Sequence, residues 1–183
     1  MLSDQTNKPE VTRVERIMVN YIFDLFKNRE LKSIWVFIYD ENDANELILN
    51  PDCVVFEIGE KFIYILNNYG SMELSVIDNI DILLSEDGFL YKVDVRNWIM
   101  DDILNTYYFE KIGFIDAYKN NKIIKSVGIQ IDFFTTKSNK FDVFLYVDIQ
   151  GLRIGGQNRK NNWINNVYKP IHNKEPIIKW LKP

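Results

Sequence analysis

Apolar residues near the start of the chain recur at helical spacing. Val11, Val14, Met18, Tyr21, Ile22, Leu25 and Phe26 follow at intervals that place them on one face of an α-helix. Asn7 precedes Glu10 by three in the manner of a capping box. Pro9 falls in the first turn, where its missing N–H costs nothing. The opposite face carries Arg13, Glu15, Arg16, Asp24 and Lys27. The pattern predicts an amphipathic helix that ends between Asn28 and Leu31 and turns its aromatic stripe to a core.

Beyond it the period shortens. Ile34 to Tyr39 is a β-branched and aromatic run, stopped by the polar cluster Asp40 to Asn45. Cys53 to Ile58, a Gly59-Glu60 turn, Lys61 to Leu66, a turn over Asn67 to Gly70 and Met72 to Ile77 read as an antiparallel meander. Ile82 to Leu84 and Phe89 to Val95 predict a further hairpin about Asp87-Gly88. In the stretch from Arg96 to Tyr108, Trp98, Ile99, Ile103, Leu104 and Tyr107 suit one short helix with Asp101 and Asp102 to solvent.

Strand character returns from Lys111 to Lys119. After Asn120-Asn121, Ile123 to Phe134 is the longest strand candidate. Ser126, Gly128, Gln130 and Asp132 alternate there with Val127, Ile129, Ile131 and Phe133, predicting one wet face and one dry face. Thr136 to Lys140 reads as a loop and Phe141 to Ile149 as the last long strand. The remainder is irregular: Gly151, Gly155 and Gly156 break the pattern, Gln157 to Asn162 is almost wholly polar, and Pro170, Pro176 and Pro183 punctuate the end. Ile177, Ile178, Trp180 and Leu181 form a short apolar anchor. The expected fold is α+β: the N-terminal amphipathic helix packed on a largely antiparallel, meander-type β-sheet, with a half-barrel or a sandwich both open. One domain over 1–183 is expected, its segment 151–183 packed on the body or trailing from it.

Composition agrees with a self-sufficient core. A chain of 183 residues with 46 % apolar content buries about 70 % of its unfolded surface and needs no disulfide or metal staple. Asn and Ile are abundant and Ala scarce, a bias that fits an AT-rich bacterial or phage source. The polar first residues lack a secretory pattern and no apolar run reaches membrane-spanning length, so the cytoplasm is the expected compartment. Charge is lopsided. Residues 1–91 hold 7 Lys/Arg against 17 Asp/Glu, and residues 92–183 hold 15 against 9, within a net −4. Such a distribution steers partners.

The sequence offers little chemistry. Cys53 lies in an apolar run and reads as core, and His172 is a lone histidine without a Ser or Cys motif. One His and one Cys do not make an ordinary zinc site, and no metal or other cofactor is expected. Carboxylates cluster at Asp40, Glu41, Asp43 and Glu46 and again at Asp78, Asp81, Glu86 and Asp87, without the spacing of a known cation loop. A metal-dependent enzyme on phosphate esters remains an alternative on their number alone. Gly151 to Gly156 lacks phosphate-loop spacing and a following helix pattern. Arg153, Arg159 and Lys160 with Trp163 interleave bases and an aromatic, as nucleic-acid surfaces do; against the acidic whole, a phage or mobile-element accessory protein that binds nucleic acid through this basic C-terminal segment is the lesser reading.

The hairpin Val54 to Ile65 with the strand Met72 to Ile77, and the run from Lys111 through Asn120-Asn121 to Phe134, resemble the meander layout of small bacterial immunity-type proteins encoded beside polymorphic or contact-dependent toxins. The resemblance rests on strand rhythm over the middle half of the chain and carries over no residue. It implies a non-catalytic, stoichiometric toxin inhibitor. The expectation is therefore a protein-binding module with a basic toxin domain as partner and no membrane. Its surface is expected at Asp40, Glu41, Asp43, Glu46, Asp78, Asp81, Glu86 and Asp87, with Trp98 or Tyr69 as an anchor.

Overall fold

The computed structural model describes residues 21–38, 51, 53–68, 71–85, 91–100, 105–119, 122–137, 139–148 and 151–181. The helix α1 is described over 21–26. It ends at Asn28, whose φ of 58° is the left-handed conformation that closes helices and that Asn tolerates. Ile22 and Phe26 face the core, as the helical spacing predicts. The start of that helix lies outside the described residues.

The strands form two open antiparallel sheets, neither closed nor curled. In the first, β1 (Leu31–Ile38), β2 (Cys53–Ile58), β3 (Lys61–Asn68) and β4 (Ser71–Ile77) make the expected meander. β5 (Tyr91–Asp94) joins β1 on its other side, giving the order β4-β3-β2-β1-β5. In the second, β6 (Tyr107–Lys119), β7 (Lys122–Thr135), β8 (Lys140–Asp148) and β9 (Gly151–Gly155) run as another meander. β10 (Ile178–Trp180) returns to β6, giving β10-β6-β7-β8-β9.

One core lies between the sheets. Ile34 and Val36 of β1, Val54 and Phe56 of β2 and Ile63 and Ile65 of β3 meet Ile129, Ile131 and Phe133 of β7 and Val143 and Leu145 of β8. Phe56 stacks on Phe133 across the gap, ring centroids 6.3 Å apart. At one corner backbone bonds join the halves: Asn28 N–H donates to Phe109 O (3.1 Å) and Phe109 N–H to Arg29 O (2.9 Å). Phe26 lies against Phe109 there, so α1 plugs this end of the core.

Both outer faces are covered as well. Ile80 and Leu83 of α2 (Asp81–Ser85) cover Phe37, Cys53 and Val55 on the first sheet. This corrects the expected strand at Ile82 to Leu84. Asn79 accepts a hydrogen bond from the Asp81 N–H (2.9 Å), a side-chain turn that starts a helix. Residues 86–90, the expected hairpin turn, lie outside the described residues. The expected helix after Arg96 is only α3 (Arg96–Ile99), and Tyr107 belongs to β6.

A larger correction concerns the segment read as irregular. α4 (Gln157–Trp163), a π-helical turn (Ile164–Tyr168) and α5 (Lys169–His172) run continuously across the outer face of the second sheet. Trp163 and Tyr168 are five residues apart, which in an α-helix puts them on different faces. The wider π-helical turn brings both inward onto Phe144, Tyr146, Ile115 and Ala117. The face of β7 expected to be wet is therefore largely covered, with Gly128 and Gln130 buried. β10 is seated closely too: a Cβ at Gly113 would lie 2.6 Å from Ile178 Cγ2 and 2.8 Å from Trp180 Cε3.

Candidate functional site

Titratable side chains converge on the outer face of the second sheet, beside the helical cover. Asp132 of β7 and Asp142 of β8 are direct cross-strand partners, an arrangement that repels when both are charged. Two lysines and an amide answer it. Lys111 Nζ lies 3.2 Å from Asp132 Oδ2 and also 4.0 Å from the centroid of the Trp180 ring. Gln130 Nε2 donates to Asp132 Oδ1 (2.6 Å), and Lys160 Nζ donates to Gln130 Oε1 (2.6 Å). At the bulged end of β6, Glu110 accepts from Lys140 (3.2 Å).

This network fastens β10 and α4 to the sheet, through Lys111 with Trp180 and through Lys160. It leaves two buried oxygens, Asp142 Oδ2 and Glu110 Oε2, without a hydrogen-bond partner among the described residues. Burial, and secondarily the charge of Asp132, raises the Asp142 carboxyl above its ordinary range, although Lys160 acts the other way. A carboxyl displaced upward beside a second carboxylate is what acid–base chemistry uses, and structural networks produce the same shift. Here the neighbours are bonded to one another rather than turned toward an open cleft.

The raised pKa has a thermodynamic consequence. The fold binds the Asp142 proton more tightly than the unfolded chain does. Its contribution to stability is therefore present at low pH and lost as pH rises through the raised value. Asp142→Asn keeps the group neutral. It is expected to raise the thermal midpoint at pH 7 and to leave it unchanged at pH 3, where the wild-type carboxyl is protonated in both states. Differential scanning fluorimetry across that range checks it; a gain of equal size at both pH values would mean that ionisation of Asp142 is not involved.

Of the basic residues expected to contact nucleic acid, Arg159 and Lys160 make hydrogen bonds within this cover. Arg159 Nη1 donates to Ile154 O (2.6 Å), its side chain folded over Gly155, and Lys160 is held by Gln130. Arg153 pairs across β9 and β8 with Tyr146. Trp163 is the clear correction: it is only 3 % exposed, with ring centroids 5.4 Å from Phe144 and Tyr146 and 5.3 Å from Tyr168. Its burial in an aromatic cluster removes it as a stacking platform for bases.

Of the acidic residues expected to bind a partner, Asp78 and Asp81 flank the entry to α2. Asp78 pairs with Lys61 and Asp81 with Lys92 (3.0 Å), and their side chains are 79 % and 71 % exposed. Lys92 also lies over the Trp35 ring, 5.3 Å from its centroid. Asp40, Glu41, Asp43, Glu46, Tyr69, Glu86 and Asp87 lie outside the described residues. Trp98 belongs to α3, but its side chain is likewise outside the description.

Cys53 is fully buried, as expected of a core residue. His172 packs on Tyr168 with ring centroids 4.4 Å apart. Burial first and Lys174 second push its pKa down, so it is neutral at pH 7. Tyr168 OH donates to Asp116 O (3.0 Å), while the buried Asp116 carboxylate accepts from Ser126 (2.9 Å) and Lys179 (2.6 Å). This second network, which composition did not single out, ties the C-terminal strand to β6. Among the described residues no group of three or more His, Cys, Asp or Glu is placed to hold a metal ion, and no helix is long and apolar enough to cross a membrane. No family model, no curated protein and no solved structure matches this chain.

Proposed function

We propose that this chain is a non-catalytic cytoplasmic binding module, an immunity-type inhibitor that neutralises a basic toxin domain. The observation that supports the reading is the exposure of two carboxylates, each paired to a surface lysine. Asp78 and Asp81 stand well exposed at one corner of the first sheet, in the half of the chain with 17 acidic against 7 basic residues. Lysines of the other half pair mostly with carboxylates of that same half, Lys111 with Asp132, Lys140 with Glu110, Lys169 with Glu175 and Lys179 with Asp116, while Lys92 reaches Asp81. An acidic surface on a rigid body accelerates encounter with a basic partner and orients it.

The test is co-expression with the protein encoded by the neighbouring gene, together with association kinetics of the purified pair. Protection of the cells from that protein is expected, with fast, salt-sensitive association. The double variant Asp78→Lys with Asp81→Lys is expected to slow association about tenfold or more and to flatten its salt dependence. Folding should be nearly unaffected, because ion pairs between solvent-exposed side chains contribute little to stability. Absence of protection, or an unchanged association rate in the variant, would count against the reading.

A further inference from the structure

Strand alternation puts Asp142 under the helical cover. Val143 and Leu145 of β8 point into the core between the sheets, so Asp142, Phe144 and Tyr146 share the outer face. Gln130 and Asp132 of β7 share it too, since Ile129, Ile131 and Phe133 point inward. α4 spans this face: Trp163 seats on Phe144 and Tyr146, and Lys160 reaches Gln130. Its N-terminal end lies beside Asp142, because a Cβ on Gly156 would be 3.8 Å from the Asp142 carbonyl oxygen.

The carboxylates on this face are unequally provided for. Asp132, with its side chain 13 % exposed, has Lys111 of β6 and the Gln130 amide as partners. Glu110 of β6 has Lys140 of β8. Asp142 stands directly across the ladder from Asp132, and its Oδ2 is buried with no hydrogen-bond partner among the described residues. Lys160 is the cation that α4 brings near it, but that ammonium is bonded to Gln130 Oε1. Burial opposes a charge on Asp142 most; Lys160 favours it, and Asp132 opposes it.

We propose that Asp142 is a proton-operated latch for the helical cover: neutral, it lets α4 seat on β7 and β8, and ionised, it loosens α4 while the sheets stay paired. Water can reach Oδ2 in two ways. Parting β8 from β7 would break a ladder that runs from Gly128↔Tyr146 to Phe134↔Lys140, whereas lifting α4 moves a helix of 7 residues. The lifted state hydrates the carboxylate, so the seated state binds the proton more tightly. Proton release therefore favours lifting. Lifting uncovers Phe144 and Tyr146, so access to this aromatic face rises with pH. The latch is independent of the toxin-binding reading.

Amide hydrogen exchange of the full chain, divided by the intrinsic rate at each pH, tests it. Protection of residues 157–172 relative to β7 is expected to fall about tenfold between pH 4 and pH 8, and to stay constant in Asp142→Asn. The pH of the step separates a titrating latch from a merely structural contact. Asp132→Asn removes an opposing charge and moves the step to lower pH; Lys160→Gln removes a favouring charge and moves it to higher pH. A relative protection that does not change with pH in the wild type overturns the proposal. So does loss of protection by the cover and β7 together, which is global unfolding, and so does a step that neither neighbour's substitution moves. His172 lies in the same cover and also titrates below neutrality. A step that persists in Asp142→Asn belongs to that histidine and overturns the latch equally.

Discussion

Phe133→Ala is expected to cost about 3–5 kcal/mol of folding stability, the range for removing a buried aromatic ring. Phe133 is fully buried in the middle of β7. Its ring stacks on Phe56 of the first sheet and meets Phe109 of β6 edge-on, with centroids 6.3 Å away in each case. It therefore touches both sheets and one neighbour of its own. Each ring in such a cluster adds about 0.5–1.5 kcal/mol beyond its buried area. Alanine leaves a hole that the paired backbones of β6, β7 and β8 hold open, because strand hydrogen bonds on both sides resist collapse. Urea unfolding followed by tryptophan fluorescence measures the loss. Phe133→Leu, which retains most of the volume, is expected to lose less than half as much. A cost below about 1 kcal/mol for the alanine variant would mean that the two sheets do not share a packed core.

Trp163→Ala is expected to cost a similar amount, about 3–5 kcal/mol, and to loosen the helical cover before the sheets. Trp163 is the point where α4 meets the second sheet, and it sits among Phe144, Tyr146 and Tyr168. Its indole Nε1 is buried without a hydrogen-bond partner among the described residues. Trp163→Phe therefore removes an unpaired donor along with part of the ring, and is expected to cost less than about 1.5 kcal/mol. Urea titration gives the energies, and hydrogen exchange of residues 157–172 against those of β7 separates loss of the cover from global unfolding. Equal costs for the two variants would show that the indole N–H holds a bond after all.

The two residues illustrate how far the sequence could be read. Phe133 was legible: it alternates with Ile131 and Ile129 against Asp132 and Gln130, and alternation reports a strand with a dry side whatever that side packs against. Trp163 was not. It follows a polar run and stands five residues before Tyr168, a spacing that matches neither helical nor strand period until a π-helical turn is admitted. The hydrogen bonds of Lys160 and Arg159 were not legible either. Bases beside an aromatic look like a nucleic-acid surface, but Lys160 is bonded to Gln130 of a strand distant in sequence and Arg159 to the Ile154 carbonyl of the strand just before it. Asp142 gave no local sign either. Its displaced ionisation depends on burial and on Asp132 across the ladder. Ile82 to Leu84 could satisfy either a short strand or a short helix, and the Asn79 turn with the apolar outer face beneath Leu83 decided for the helix.

What the residues determined unaided is therefore local: the helical spacing that turns Ile22 and Phe26, though not the exposed Tyr21, to the core, and the central runs of the eight-residue and longer strands. Those follow from side-chain periodicity and backbone preference, which act over a few residues. The tertiary structure alone decided that the strands divide into two facing sheets, that the C-terminal basic segment covers one of them, and which carboxylates become neighbours. Those outcomes depend on apolar faces finding one another across long stretches of chain, and on burial strengthening or penalising charges that in the extended chain are equally hydrated.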